Sequence, residues 1–158
     1  MNKNHEVFMR RAIELARKGV EANNGGPFGA VVVKDGEIIG EGWNKVTSTN
    51  DPTAHAEIIA IRDACTKLNS FQLDGCEIYS SCEPCPMCLG AIYWSRPKAL
   101  YIAGNREDAA DAGFDDRFIY DEIGLDHEDQ KLKIQTILRE EAQEVFAIWK
   151  EKEDKIEY

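Results

Sequence analysis

Residues 76–103, CEIYSSCEPCPMCLGAIYWSRPKALYIA, decide how the rest of the chain is read. A strand near 76–81, a helix near 86–95 and a strand near 98–103 alternate, and such alternation points to a sheet with crossover helices on its faces. Pro84 and Pro86 lack amide protons, and the first turn of a helix is where that lack costs least. Cys85 and Cys88 therefore fall at or just inside a helix start, where the helix dipole favours thiolate.

Upstream, Phe8, Ala12, Leu15, Ala16 and Gly19 recur at helical spacing, so residues 4–22 read as an amphipathic helix. Asn23-Asn24-Gly25-Gly26-Pro27 breaks it. Residues 30–33 and 38–43 read as two strands joined by the hairpin signal Asp35-Gly36. A polar loop over 47–51 leads through Asp51-Pro52-Thr53 into a helix over 53–68, with His55 in its first turn. Downstream, 104–130 is acidic and weakly periodic, and 132–138 reads as a last strand or its remnant. Ala142, Val145, Phe146 and Trp149 mark a closing helix that ends near Tyr158. No repeat, low-complexity tract or linker divides the chain, so residues 1–158 are expected to form one domain.

A chain of 158 residues is long enough to build its core without disulfide staples. Its formal net charge of −10 argues against a partner that needs a basic footprint, such as nucleic acid or an anionic membrane surface. No apolar run approaches the ~18 residues of a membrane span. The start, Met1 to Glu6, has no apolar segment behind it, so no secretory signal is expected. The five cysteines (Cys65, Cys76, Cys82, Cys85 and Cys88) are odd in number and three are crowded together. That favours a reducing, cytoplasmic setting and metal or catalytic use.

The chemistry-bearing residues are His55-Ala56-Glu57 and Pro84-Cys85-Pro86-Met87-Cys88. One imidazole and two thiolates make a suitable tripod for Zn²⁺ and leave a fourth tetrahedral position for water. Bound there, water falls from pKa 15.7 to about 7. Two other readings use the same residues. Cys82 could join His55, Cys85 and Cys88 in a closed structural zinc site, or Cys85 and Cys88 could form a redox pair. Neither accounts for Glu57. Residues two apart on a helix do not face each other, so His55 and Glu57 converge only if the backbone near His55 is not yet regular helix or if Glu57 reaches around. Cys65 and Cys76 read as small buried hydrophobes, and His5 and His127 as solvated surface residues.

This pattern resembles the signature of zinc-dependent nucleobase deaminases. The chain resembles the cytidine deaminase superfamily, in the branch that holds tRNA adenosine deaminases and small bacterial guanine deaminases. The likeness runs from Gly26-Pro27-Phe28-Gly29-Ala30 through His55-Ala56-Glu57 to residues 82–92. Asp111-Ala112-Gly113-Phe114-Asp115-Asp116 resembles the guanine deaminases, as does the C-terminal helix ending in Tyr158. Ile156 departs from the more polar tail of that group.

The resemblance implies an α/β fold, a three-layer α/β/α sandwich around a mixed five-stranded sheet. It implies one Zn²⁺ per subunit, held by His55, Cys85 and Cys88, and hydrolysis of guanine to xanthine and ammonia with Glu57 as the proton shuttle. A homodimer is implied, with residues 139–158 swapped between protomers. Asn44 resembles a base-orienting residue that presents both a donor and an acceptor, though a strand-end turn residue is also often Asn. Asp115 would accept from guanine N–H groups, or is one more charge on an acidic loop. Phe28 would stack on the base or pack in the core. Ala56, between ligand and shuttle, would contact the substrate, and Phe114 and Tyr158 would close the pocket. The rivals are a tRNA adenosine deaminase, a deaminase of guanosine or another aminated heterocycle, and a structural zinc scaffold. Residues 104–130 hold ten acidic and two basic residues, so most of the negative charge sits beside Asp115, where an RNA backbone would be repelled.

Overall fold

Asp35 and Gly36 both have positive φ, 51° and 84°, the backbone of a tight two-residue hairpin whose twist matches that of its strands. In the computed structural model, which describes residues 3–158, this turn joins β1 (Gly29–Lys34) to β2 (Glu37–Trp43). Around the hairpin lie α1 (Lys3–Glu21), α2 (Val46–Thr49), α3 (Ala56–Leu68), β3 (Glu77–Cys82), α4 (Pro86–Ser95), β4 (Ala99–Gly104) and α5 (Arg106–Asp111). The sheet order is β2-β1-β3-β4. β1 is antiparallel to β2 and to β3, and β3 is parallel to β4, across the α4 crossover.

Alternation along β1 feeds two cores. Ala30 and Val32 pack with Ala56, Ala60, Ala64, Ile78 and Ile92 on the side of α3 and α4. Val31 and Val33 pack with Leu15 and Tyr79 beneath α1. The first unit is thus helix, sheet and helices in three layers. On β2, Gly40 and Gly42 let α3 lie against the strand itself. A Cβ at Gly42 would stand 2.2 Å from the Ala56 carbonyl oxygen, and one at Gly40 2.4 Å from that of Ala60.

His5 is not a solvated surface residue, as its charged neighbours suggested. Its Nδ1 lies 2.7 Å from the Tyr79 hydroxyl, which in turn lies 2.8 Å from Glu77 Oε2. A carboxylate only accepts, so Tyr79 donates to Glu77 and His5 Nδ1 carries the other proton. Tyr79 stacks on Tyr101 with ring centroids 4.8 Å apart.

By backbone contacts the described residues fall into two compact units, the second being Arg117–Tyr158. It contains α6 (Arg117–Ile123) and α7 (Arg139–Glu151). Gln130 donates to the Glu122 carbonyl, and the Lys131 amide to the Glu122 carboxylate. The sheet has four strands where five were expected. Residues 132–138 form no ladder, and a strand exists only as one half of a pair. The closing helix stops at Glu151 and not near Tyr158. The polar loop at 47–51 contains the single turn α2. No helix among the described residues is long and apolar enough to cross a membrane.

Arg11 ties α1 to β2 through two hydrogen bonds to Glu41, at 2.6 and 3.0 Å. The guanidinium holds the Glu41 carboxyl below the usual carboxylate range. A depressed folded-state pKa stabilises above the unfolded value, and that gain is lost as pH falls through the folded one. Glu41→Gln should therefore be less stable than wild type at neutral pH, by about 1 kcal/mol or less for so exposed a pair. In urea melts at successively lower pH, the two proteins should converge in strong acid.

Candidate active site

Two helix starts face each other at the site. α3 is entered through a turn in which Asp51 Oδ1 accepts from the Thr53 amide and hydroxyl at 2.8 and 2.7 Å. His55 is not in the first turn of that helix but is its N-cap, with extended backbone (φ −74°, ψ 155°). This removes the difficulty of the two-residue spacing, because only Glu57 is helical. Cys85 occupies the same position on α4, with φ −65° and ψ 168°, and Pro86 follows as the first helical residue. Cys88 then lies one turn along, fully buried.

His55 Nδ1 stands 3.6 Å from Cys85 Sγ and 3.5 Å from Cys88 Sγ. Among the described residues, these three form the cluster able to hold a metal ion, with all ligand atoms within 4.8 Å of one another. Zinc bonds of about 2.3 Å to sulfur and 2.0–2.1 Å to nitrogen, at tetrahedral angles, imply a nitrogen–sulfur edge of about 3.6 Å. The donor set fits zinc in element, number and spacing, and three ligands leave one position open.

The electrostatics fit as well. A hydrogen bond from Cys88, and then one from His55, push the Cys85 thiol down to about 4. Cys88 holds the proton the pair retains and is pushed up. A bound cation would displace that proton and take both sulfurs as thiolates. The hydrogen bond to Cys85 raises His55. Glu57 is 5% exposed, and burial raises its carboxyl against the opposing hydrogen bond from Ser80. Ser80 Oγ donates to Glu57 Oε1 at 3.0 Å.

Cys82 stands apart from the cluster. Its thiol donates to the Asn105 carbonyl, with Sγ 3.3 Å from the oxygen, and burial pushes it up. The closed four-ligand reading thus loses its fourth ligand. Cys76 is fully buried and Cys65 packs beside it in the core.

Asn44 is 5% exposed. Its Oδ1 accepts from the Gly26 and Val46 amides at 3.2 and 3.1 Å, so the acceptor half of the side chain is engaged by backbone and only the amide donor remains. Phe28 and Phe114 meet edge-to-face with centroids 5.0 Å apart, and Phe28 also packs against the core. Ala56, fully buried, is the first residue of α3. Asp115 is exposed, whereas Asp116 is half-buried. Burial, and then the Cys85 thiolate, push the Asp116 carboxyl up. Tyr158 belongs to the second unit and is exposed.

Sequence reasoning missed Ser80 and Asp116. Ser80 carries no motif. Asp116 was hidden by its neighbour, since an Asp-Asp pair does not say which member turns inward. Glu83, beside Pro84, pairs with Arg106 at 3.2 Å and so ties the cysteine loop to α5.

Residues 2–104 match the family described as the cytidine and deoxycytidylate deaminase zinc-binding region. The chain belongs to this family. It is 56% identical over 155 residues to the guanine deaminase of Bacillus subtilis (strain 168), a match covering 98% of this chain and 99% of that protein. The crystal structure of guanine deaminase from Bacillus subtilis superposes with a TM-score of 0.94 at 55% identity, over 100% of this chain and 99% of that one. The tRNA-specific adenosine deaminase of Aquifex aeolicus (strain VF5) is 44% identical over 99 residues, covering 62% of this chain and 65% of that protein.

Purified Cys85→Ala and Cys88→Ala proteins should lose stoichiometric zinc, measured by atomic emission. Cys82→Ala should keep it, because that sulfur donates to a carbonyl and is not a ligand.

Proposed function

We propose that this chain is a zinc-dependent guanine deaminase that hydrolyses guanine and water to xanthine and ammonia. The observation that carries it is the meeting of His55, Cys85 and Cys88 with buried Glu57, in a chain whose whole length follows that of a guanine deaminase. The tRNA deaminases are more distant: the Aquifex protein is 44% identical over 99 residues, and that of Buchnera aphidicola, aligned over 93% of the chain, is 39% identical.

His55, Cys85 and Cys88 hold the zinc, which when bound supplies Lewis-acid activation of a water at neutral pH. Glu57 takes one proton from the attacking water and passes it to the ring nitrogen next to the carbon under attack. It then takes the proton left on the new hydroxyl and delivers it to the amine as the carbon–nitrogen bond breaks. Such a shuttle is typically worth about 10²–10⁴-fold in rate. Asn44, with its oxygen already engaged, offers the substrate a donor only, so it meets an acceptor on the purine. The Asp115-Asp116 pair supplies the complementary acceptor for guanine N–H groups, with Asp116 the half-buried member whose carboxyl feels the charge of Cys85. Phe28 and Phe114 form an aromatic wall, and the Ala56 backbone lies between ligand and shuttle.

The active species is a homodimer in the cytoplasm, and the chain is a single deaminase domain whose residues 139–158 complete a second copy. One feature supports the pairing of two copies. Val145, Phe146 and Ile148 of α7 are 65, 66 and 67% exposed, which is costly for a lone helix in water.

Ammonia release should be measured on guanine, guanosine, adenine, cytosine, cytidine and a tRNA anticodon stem-loop. Guanine is expected to be turned over, and Glu57→Ala should keep zinc while losing about 10²-fold or more of the rate. Turnover of the stem-loop without guanine would refute the assignment. A chain ending at Lys155 should keep zinc and its dimeric mass in light scattering but lose guanine turnover. Full activity in that variant would remove Tyr158 from the site.

A further inference from the structure

Glu57 is met from the face of the sheet beneath α3 by a second buried polar side chain. Ser80 lies in the middle of β3, 2% exposed, with its hydroxyl 3.0 Å from Glu57 Oε1. The neighbouring inward positions are apolar: Ala30 and Val32 on β1, Ile78 on β3, Ala56 and Ala60 on α3. A hydroxyl in such a row is kept only with a partner, and its partner here is the carboxylate. β3 is an inner strand, with Ser80 opposite Ala30 on one side and Ile102 on the other. Its backbone is therefore held by ladders on both edges.

Resting on the reading of Glu57 as proton carrier, we propose that Ser80 is a positioning residue. By donating to Oε1 it fixes the carboxylate plane and reserves Oε2 for the reacting protons. The terminal torsion of a glutamate is broad and two-fold, so an unheld carboxylate would present either oxygen at a range of angles. An ionised carboxylate only accepts, which makes Ser80 the donor. When Oε2 takes a proton, Oε1 becomes the carbonyl oxygen of a carboxylic acid and still accepts from Ser80. The contact thus persists through every transfer, with no change of donor and no competition for the mobile proton. Cys88 also lies within reach of Glu57, but as a metal-bound thiolate it has no proton to donate.

Ser80→Ala is expected to lower kcat for guanine about 10- to 100-fold, the usual cost of losing a group that orients a catalytic one. KM and zinc content should hold. Ser80→Thr, which keeps the hydroxyl, should recover most of kcat. With glutamate ¹³C-labelled at its carboxyl, the resonance that vanishes in Glu57→Gln should shift in Ser80→Ala and return in Ser80→Thr. If Ser80→Ala does not fold, Ser80→Cys, of similar size but a weak donor, should show the same loss and the same shift. A zinc-loaded Ser80→Ala or Ser80→Cys protein with wild-type kcat and an unmoved Glu57 resonance overturns the proposal. A loss confined to zinc content or KM does so too. Should wild type fail on guanine while the resonance still responds to Ser80→Ala, the substrate assignment falls and the Ser80 contact stands.

Discussion

One imidazole nitrogen and two sulfurs, carried on two different helices, have to reach three corners of the same tetrahedron. The edges of 3.5 and 3.6 Å from His55 Nδ1 to the two sulfurs meet that demand, and much of the first unit is arranged around it. Both His55 and Cys85 are N-caps with extended backbone. Each can aim its side chain across the gap because it does not yet obey the helical repeat. Only Cys88 and Glu57 are placed by the helices themselves. β2 and β3 both run antiparallel to β1, so the start of α3 beyond β2 and the cysteine loop after β3 lie at the same end of the sheet.

That arrangement concentrates negative charge where little water reaches. Cys85, Cys88 and Glu57 share one small volume, and Asp116 adds a fourth acidic group nearby. Burial raises Glu57, and the hydrogen bond to Cys85 followed by burial raises Cys88, while that same hydrogen bond lowers Cys85. A divalent ion reverses the balance for both thiols, so metal affinity and fold stability are linked in this chain. The two helix N-termini contribute in the same direction, since each points its positive end at the cluster.

The layers, the hairpin and the helix over 86–95 were legible in the sequence, because each rests on local patterning or on a turn residue with one permitted backbone. Pro86 opening α4 and Asp35-Gly36 closing the hairpin are of that kind. The zinc tripod was legible for a different reason: metal chemistry restricts residue type and spacing together. What escaped were features set by tertiary contact. His5 is surrounded by charge in sequence and by Tyr79 and Tyr101 in space. Asn44 looked like a two-way hydrogen-bonding group until the Gly26 and Val46 amides were seen to occupy its oxygen. Residues 132–138 carry a strand-like pattern, yet pattern alone does not supply the edge a strand pairs with. Asp116 and Ser80 were hidden because inward orientation depends on the element opposite.

The glycines of β2 carry a consequence for how such a site tolerates change. At Gly40 and Gly42 the strand meets the backbone of α3, with no side chain between them. The distance from sheet to helix, and so the depth at which His55 is presented, is set by main chain against main chain. Main-chain thickness is the same in every sequence. Apolar residues elsewhere on this face, such as Ile39, Ile61 and Leu68, fill the space around that contact, and the ligand geometry has a gauge that does not depend on their side chains.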